Sequence, residues 1–391
     1  MVKVLTHYLE QHSDHKPSAY AARRASELVM TFLQEECGFE ANVKVSQFSK
    51  AFQAGFAKWS ATKHQHSPAY VSRNLSVIAA ASRFGSKTTL RTNSDGMMVE
   101  SRLLRFMPEV CYDAKWLADI MGASEPKPRD YVPTFEELAS LLDTEASDLL
   151  RRYDIIALNT WARPEAIVDL QLRGQVDFVA GLIDLNPAGR RQTKKRRPII
   201  KLTENLRGWF ECWGENKPLS YDAKSEADGD RKSASHIKGQ FYRRSTKWIL
   251  MRSGCSTDEI KILIKANREG APEQLQAAIK AAESKGIRPI TRYPLRHFMA
   301  TKVRGPQEIK VDREQRSHWL GHGKRDATSW YESHDPEFLQ DCAKATTLIL
   351  EKLDALTERS LVPPEETNSQ IPAVISSDVK KRVFDYKNFT L

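Results

Sequence analysis

One stretch decides the expected fold: Tyr293-Pro294-Leu295-Arg296-His297-Phe298-Met299-Ala300-Thr301. Its apolar residues recur at helical spacing, which predicts the start of a helix that is buried on one side. Arg296 lies among these apolar residues, and burying an unpaired charge costs several kcal/mol. We therefore expect its guanidinium to face either a carboxylate of the fold or a bound anion.

Other residues that could take part in catalysis lie on either side of this stretch. Arg163 precedes an amphipathic turn, and Lys194 or Lys195 lies in a basic run. His322 comes after the stretch, and Tyr331 follows it by nine positions. Two arginines, a lysine, a histidine and a nucleophilic tyrosine can handle a phosphodiester without a metal or nucleotide cofactor. These residue types predict phosphate chemistry with no cofactor.

The size and composition of the chain limit the classes of protein to which it can belong. A length of 391 residues predicts two domains. The mean hydropathy is -0.53, and no apolar run approaches the ~20 residues of a membrane span, so we expect a cytoplasmic protein with no membrane partner. The net charge of +10 favours a polyanionic partner, because neutralised phosphates release counterions. The five scattered cysteines are expected to be reduced thiols.

The first 125 residues predict a helical domain. Apolar residues recur there at helical spacing, and Ser67 followed by Pro68 signals the start of a helix that Gly85 ends. Basic residues surround this helix: Lys63, His64, His66, Arg73, Arg83 and Lys87. They form either a surface that grips a DNA backbone or an ordinary solvated helix face.

The second domain is expected at residues 134–355. Prolines predict a linker over residues 126–133, and Thr134 with Glu137 forms a capping box that starts the next helix. Residues 356–391 lose regular periodicity and predict a tail that is either disordered or exchanged between subunits.

Short apolar runs between Val176 and Leu202 predict a small antiparallel sheet within this helical domain. Residues 217–235 are rich in polar and charged residues and predict an exposed loop. The expected fold class is therefore mainly α with a small antiparallel β-sheet, an α+β fold.

A basic run lies between the second and third predicted strands: Arg190-Arg191-Gln192-Thr193-Lys194-Lys195-Arg196-Arg197. A nuclear-localisation signal would favour an unstructured end, so we interpret the run as a phosphate-facing hairpin. The residues assigned to DNA binding in this domain are Arg190, Arg191, Lys195, Arg243 and Arg244.

In three places the chain resembles the tyrosine recombinases of the phage-integrase family. Ala162-Arg163-Pro164 resembles the family's first arginine box, and residues 293–301 resemble the second. Trp319-Leu320-Gly321-His322 followed by Tyr331 resembles the family's spacing from histidine to nucleophile. The order of a helical core-binding domain and a catalytic domain is also similar. The resemblance implies a site-specific recombinase, an integrase that acts on double-stranded DNA as a homotetramer, with accessory DNA-bending or directionality proteins. Resolution of chromosome dimers or of hairpin telomeres is the alternative within the family.

The resemblance also implies a role for each residue. Tyr331 would be the nucleophile that forms a 3′-phosphotyrosyl bond. Arg163 and Arg296 would clamp the phosphate, and His322 would add a hydrogen bond. The hairpin lysine would protonate the departing 5′-oxygen, and Thr193-Lys194 resembles the family's pair better than Lys195 does.

The sequence departs from the family at two positions. Tyr293 stands where the second arginine box usually begins with histidine. We place it among the catalytic residues because its hydroxyl can donate a hydrogen bond, but a tyrosine accepts protons poorly near neutral pH. Another group or water must then take the proton of Tyr331. Ala166 stands where the family more often has an acidic residue, so the group that orients Arg163 must come from elsewhere.

Two other functions fit part of the same sequence. His318 and His322 are four positions apart, a spacing that can hold zinc in a metal-dependent nuclease, and His334 follows. Trp319 and Leu320, however, fill the places where an H-E-x-x-H motif has its acid. The second alternative is a catalytically inactive DNA-binding protein on the same fold.

Overall fold

The computed structural model describes residues 2–11, 19–38, 48–92, 95–125, 131–144, 146–192, 195–214, 216–219, 226–305, 309–322 and 336–364. The chain divides into two units, Met1–Arg129 and Asp130–Leu391, and each has a hydrophobic core of its own. No helix in the described ranges combines the length and apolar character that crossing a membrane requires.

The described part of the first unit consists of helices and one hairpin: α1 (Val2–Gln11), α2 (Ala19–Cys37), α3 (Lys50–His64), α4 (Pro68–Gly85), β1 (Thr89–Thr92), β2 (Met98–Ser101) and α5 (Ala114–Met121). Ser49, Ser67 and Asp113 cap α3, α4 and α5, because each side chain accepts a backbone N–H of the first turn. The predicted helix from Pro68 to Gly85 is confirmed.

The hairpin of β1 and β2 is a correction to the helical bundle expected for this unit. The strands pair antiparallel and have four residues each. In β2, Met98 is 63% exposed and Val99 is 38% exposed. A strand that presents both faces to solvent lacks the alternation of apolar and polar residues that predicts strands.

The described part of the second unit contains these elements: α6 (Phe135–Asp143), α7 (Asp148–Thr160), α8 (Pro164–Val168), α9 (Leu172–Gln175), β3 (Val176–Asp177), β4 (Leu182–Asp184), β5 (Ile199–Lys201), α10 (Glu204–Trp213), α11 (Glu226–Arg252), α12 (Thr257–Arg268), α13 (Pro272–Ser284), α14 (Arg292–Lys302), α15 (Arg313–Trp319), a 3₁₀ helix (Pro336–Leu339) and α16 (Gln340–Asp354). Helix α7 lies at the centre and contacts α8, α10, α11, α14 and α16. The capping box of Thr134 and Glu137 is present at the start of α6, as predicted.

The predicted antiparallel sheet is confirmed, with shorter strands than the apolar runs suggested. Its order is β3-β4-β5, and Ile183 of β4 is in register with Ile200 of β5. Both side chains are fully buried. The fold class is therefore mainly α with a small antiparallel sheet.

The exposed loop expected at residues 217–235 is wrong in two places: Leu219 is buried in the core, and α11 begins at Glu226. The sequence there is polar on every side, so it carries no apolar periodicity to signal a helix. Residues 241, 248, 249 and 250 further along α11 are buried. Once this packed half forms, adding residues to an existing helix is favourable.

Arg244 lies in the core of the second unit, where it pairs with Asp154 of α7. Its Nη2 donates to Oδ1 at 2.9 Å and its Nη1 donates to Oδ2 at 2.5 Å. The two side chains are 1% and 3% exposed. The assignment of Arg244 to DNA binding is therefore wrong, since its guanidinium is enclosed and already neutralised.

Residues 356–364 pack on the second unit, so this unit extends past its expected end at 355. Asn205 Nδ2 and Trp209 Nε1 both donate to the carbonyl of Leu361, at 3.1 and 2.9 Å. A Cβ at Gly208 would lie 2.6 Å from Cγ of Pro363, so the close approach requires glycine. Residues 365–391 of the predicted tail lie outside the described residues.

Arg244→Ala should destabilise the second unit by about 3–5 kcal/mol, because it leaves the carboxylate of Asp154 buried without its partner. Urea unfolding followed by circular dichroism measures the loss. Arg243→Ala removes the exposed neighbour on the same helix and should change stability by no more than about 0.5 kcal/mol. Equal losses for the two variants would contradict a stabilising role for the buried pair.

Candidate functional site

Arg296 lies in α14 and is 8% exposed. Its Nη1 donates to the carbonyl of Trp161 at 2.6 Å, and its Nη2 donates to the carbonyl of Leu320 at 2.7 Å. Trp161 caps the end of α7 in a left-handed conformation, and Leu320 caps the end of α15. One guanidinium therefore connects the ends of two helices to a third.

Arg163 precedes α8 as its N-cap residue, and Pro164 occupies the first helical position. Its Nη1 donates to the carbonyl of Arg196, in the segment between β4 and β5, at 2.8 Å. Gly321 approaches the same carbonyl from another side. A Cβ at Gly321 would lie 2.5 Å from that oxygen, and the φ of Gly321 is +66°, so only glycine fits. The carbonyl of Leu320 thus accepts from Arg296, and the backbone of Gly321 lies next to the acceptor of Arg163.

His322 lies beside these two residues. Its backbone N–H donates to the carbonyl of Ser317 at 2.8 Å, and its own carbonyl accepts the hydroxyl of Ser317 at 2.6 Å. Its Nε2 lies 3.4 Å from Nη2 of Arg296. A guanidinium only donates, so Nε2 accepts and the ring proton is assigned to Nδ1. The Nδ1–H of His322 can then donate to a ligand.

Burial and repulsion between cations lower the pKa values of two members of this cluster. For Arg296, burial is the main cause and the charge of Arg163 adds to it, so the pKa falls to about 10. For His322, burial again comes first, followed by the charges of Arg296 and Arg163, which lower its pKa. At neutral pH Arg296 is charged and His322 is neutral.

Within the described chain, no carboxylate pairs with Arg163 or Arg296. The carboxylate that could have explained a buried Arg296 is replaced by main-chain carbonyls, which orient the guanidinium without cancelling its charge. We call Arg163, Arg296 and His322 the cationic cluster. Its chemistry favours an anion with several oxygen acceptors.

Tyr293 lies one helical turn before Arg296 in α14 and is 43% exposed. Residues three positions apart on a helix lie on the same face, so its side chain neighbours that of Arg296. The structure therefore brings Tyr293 together with the cationic cluster.

The basic segment between β4 and β5 is held by specific side-chain contacts. Gln192 bonds both main-chain groups of Arg197, accepting its N–H at 3.1 Å and donating to its carbonyl at 2.8 Å. Arg197 itself is buried and pairs with Asp169 at 2.7 Å. Arg190 donates to the side chain of Asn186, whereas Arg191 and Lys195 are exposed.

Tyr331 and Lys194, the expected nucleophile and acid, lie outside the described residues. The described chain resumes at the 3₁₀ helix, where Glu337 accepts a hydrogen bond from Nζ of Lys201. Lys201 ends β5, and its side chain is 11% exposed. This ion pair connects the chain after Tyr331 to the strand that follows the basic segment.

The remaining basic residues expected to bind DNA differ in their surroundings. In the first unit, Arg73, Arg83 and Lys87 are exposed. Lys63 pairs with Glu35 at 2.7 Å, and this hydrogen bond raises the pKa of Lys63. In the second unit, Arg243 is exposed on α11.

The two histidines of the zinc alternative have different neighbours. Nε2 of His318 lies 3.9 Å from a carboxylate oxygen of Glu314, whereas Nε2 of His322 faces Arg296. In the ranges that the structure covers, no three His, Cys, Asp or Glu side chains are arranged to hold a metal. His334 lies outside those ranges.

Comparison with known proteins gives little further information. No protein-family model and no curated protein matches the chain. A crystal structure of XerA recombinase is similar at 15% sequence identity, over 88% of this chain and 97% of that one, with a TM-score of 0.26. A TM-score this low does not establish a common fold, so the functional conclusion rests on the site.

Sequence reasoning missed the groups that hold the cluster in place. The carbonyls of Trp161, Leu320 and Arg196 accept the arginine hydrogen bonds, and no side-chain pattern signals a carbonyl. Lys201 was also missed, because a lysine at the end of a short strand looks like a solvated residue. Gly321 carried a usable signal, since a glycine next to a helix end often has positive φ.

Arg163→Ala should raise the pKa of His322 towards its ordinary value, because it removes one of the charges that disfavour the protonated ring. NMR titration of the imidazole measures this pKa, with His322→Gln to assign the signal. Arg191→Ala, which removes an exposed arginine of the basic segment, is the control and should leave the pKa unchanged. An unchanged pKa in Arg163→Ala would show that Arg163 does not face His322.

Proposed function

We propose that the protein is a site-specific DNA recombinase that cuts and rejoins strands through a 3′-phosphotyrosyl intermediate. The observation that supports this function is the cationic cluster, in which two arginines and a neutral histidine meet and no carboxylate of the described chain pairs with the arginines. A phosphodiester is an anion with the acceptors that these donors need. Tyr331, nine positions after His322, supplies a nucleophile.

In this proposal the hydroxyl of Tyr331 attacks the phosphorus of one DNA strand. A P–O bond to tyrosine forms as the bond to the 5′-oxygen breaks, which leaves a 3′-phosphotyrosyl linkage and a 5′-hydroxyl. The proton from the tyrosine goes to a nearby base or water, and the hairpin lysine gives a proton to the departing oxygen. The 5′-hydroxyl of another strand then reverses the step, so no ATP is consumed.

The two arginines would stabilise the transition state. Charge grows on the non-bridging oxygens as phosphorus becomes pentacoordinate, and guanidinium groups fixed in advance need not reorganise. Removing one such donor typically lowers the rate by about 10²–10³. The low pKa of His322 keeps its ring neutral, so it contributes a hydrogen bond from Nδ1 rather than a third positive charge.

Double-stranded DNA is the partner that this reaction requires. The exposed cations of the first unit, Arg73, Arg83 and Lys87, would bind backbone phosphates, and Arg191 with Lys195 would add contacts near the cut. Strand exchange between two duplexes requires a nucleophile for each of four strands. We therefore extend the proposal to a homotetramer acting as an integrase, with accessory DNA-bending proteins and with residues 365–391 exchanged between subunits.

Tyr331→Phe should abolish a covalent protein–DNA adduct and leave DNA binding intact. The substrate is a nicked suicide duplex that carries a candidate attachment site, and denaturing electrophoresis detects the adduct. Tyr293→Phe is the matched control, which should still form the adduct because the proposal makes Tyr331 the nucleophile.

The same assay separates the alternatives. Adduct formation that persists in a chelator excludes the metal-dependent nuclease. A wild-type protein that binds its attachment site specifically and forms no adduct would instead identify a catalytically inactive DNA-binding protein.

A substrate with sulfur in place of the scissile 5′-oxygen tests the hairpin lysine. Lys194→Ala should cleave ordinary DNA slowly and the sulfur-containing DNA at nearly the wild-type rate, because a thiolate leaves without a proton. Lys195→Ala is the matched control and should cleave both substrates at the wild-type rate. If only Lys195→Ala shows the defect and the rescue, Lys195 is the acid. If neither variant does, neither of these lysines is the acid.

A further inference from the structure

The second unit contains a basic groove far from the cationic cluster. A cavity of about 610 Å³ lies between α11, α12 and the start of α7. Its floor is apolar, with Leu150, Ile260 and Ile264. Helix α7 separates the groove from the cationic cluster. Its N-cap residue, Ser147, lines the groove, and its C-cap residue, Trp161, accepts a hydrogen bond from Arg296. At ~1.5 Å per residue, the 13 residues of α7 span ~20 Å.

Cations from two helices face each other across this groove. Arg243 and Lys247 are one turn apart on α11, and Lys261, Lys265 and Arg268 lie on successive turns of α12. None of the described residues that line the groove is acidic. Like charges gathered around one cavity repel each other, so a bound anion would stabilise this arrangement.

Two lysines of the groove form ion pairs at the surface. Lys261 contacts Asp258 at 3.1 Å and Lys265 contacts Glu269 at 3.8 Å, and all four side chains are more than half exposed. Exposed ion pairs of this kind are weak and are readily replaced by other partners. Arg244, which also lines the groove, is already neutralised by Asp154.

Polar donors complete the groove. Ser147, the N-cap of α7, lines one end of the groove, where its hydroxyl donates to Oε1 of Gln240 and accepts the N–H of Leu150 at 3.2 Å. Thr257 at the first turn of α12 adds a hydroxyl. An apolar floor with cations spread along two helices suits a chain of phosphates rather than a single small anion.

We propose that this groove binds the backbone phosphates of DNA at a second position, away from the cleaved phosphodiester. The three cations of α12 extend over ~10 Å, which corresponds to about three nucleotides of one strand. That the bound phosphates belong to DNA rests on the proposed function. Phosphate binding in the groove does not depend on strand cleavage, and contacts to phosphates do not distinguish one DNA sequence from another.

The test measures duplex binding by fluorescence anisotropy over a series of salt concentrations, with DNA of arbitrary sequence. Each neutralised phosphate contributes about 0.9 to the slope of log affinity against log salt. The groove variant, Lys261→Ala with Lys265→Ala, should therefore reduce the slope by about 1.8. The control variant, Lys280→Ala with Lys352→Ala, removes two exposed lysines outside the groove and should keep the wild-type slope.

Sodium tripolyphosphate probes the same groove without DNA. It should raise the unfolding temperature of the wild type and of the control variant by more than that of the groove variant, in which only the cationic cluster is left to bind it. If the wild type binds no duplex while tripolyphosphate still stabilises it through Lys261 and Lys265, the recombinase function fails and the groove binds a small phosphate compound. If the groove variant matches the wild type in both the salt dependence of DNA binding and the stabilisation by tripolyphosphate, the proposal that this groove binds phosphates is wrong.

Discussion

The hydrogen bonds from Arg296 to the carbonyls of Trp161 and Leu320 are the constraint on which the site depends. Both carbonyls lie at helix C-termini, where the last carbonyl groups lack helical partners and carry partial negative charge. A buried guanidinium is stable there because each bond to a charged donor contributes about 1.5–3 kcal/mol. Main-chain dipoles hold the cation without a counter-charge, so its charge remains available to a ligand.

The same principle fixes the other half of the cationic cluster. Arg163 donates to the carbonyl of Arg196, and the backbone of Gly321 rests against that oxygen. A side chain at residue 321 would collide with the carbonyl of Arg196 and force the basic segment away. The short β-sheet matters for function because β4 and β5 fix both ends of this segment, and Lys201 of β5 also holds the 3₁₀ helix that follows Tyr331 in sequence.

Patterns that come from burial or capping made much of the fold predictable. Ser67 and Pro68 gave the start of α4, Thr134 and Glu137 gave the start of α6, and apolar runs located the sheet. The polar first half of α11 was not predictable, because its helix depends on packing further along the chain. Among site residues, Arg163, Arg296 and His322 were found from chemistry and resemblance. Arg244 was misassigned because composition cannot distinguish an enclosed arginine from a surface one.

The use of backbone carbonyls as the arginine acceptors also bears on evolution. Every amino acid has a carbonyl, so substitutions at residues 161, 196 and 320 that preserve the local backbone path retain the acceptor. The link between these positions and the two arginines would therefore leave little trace as correlated substitutions among relatives. Drift in the surrounding side chains can be tolerated while the geometry persists, and only a change in chain direction would remove the support.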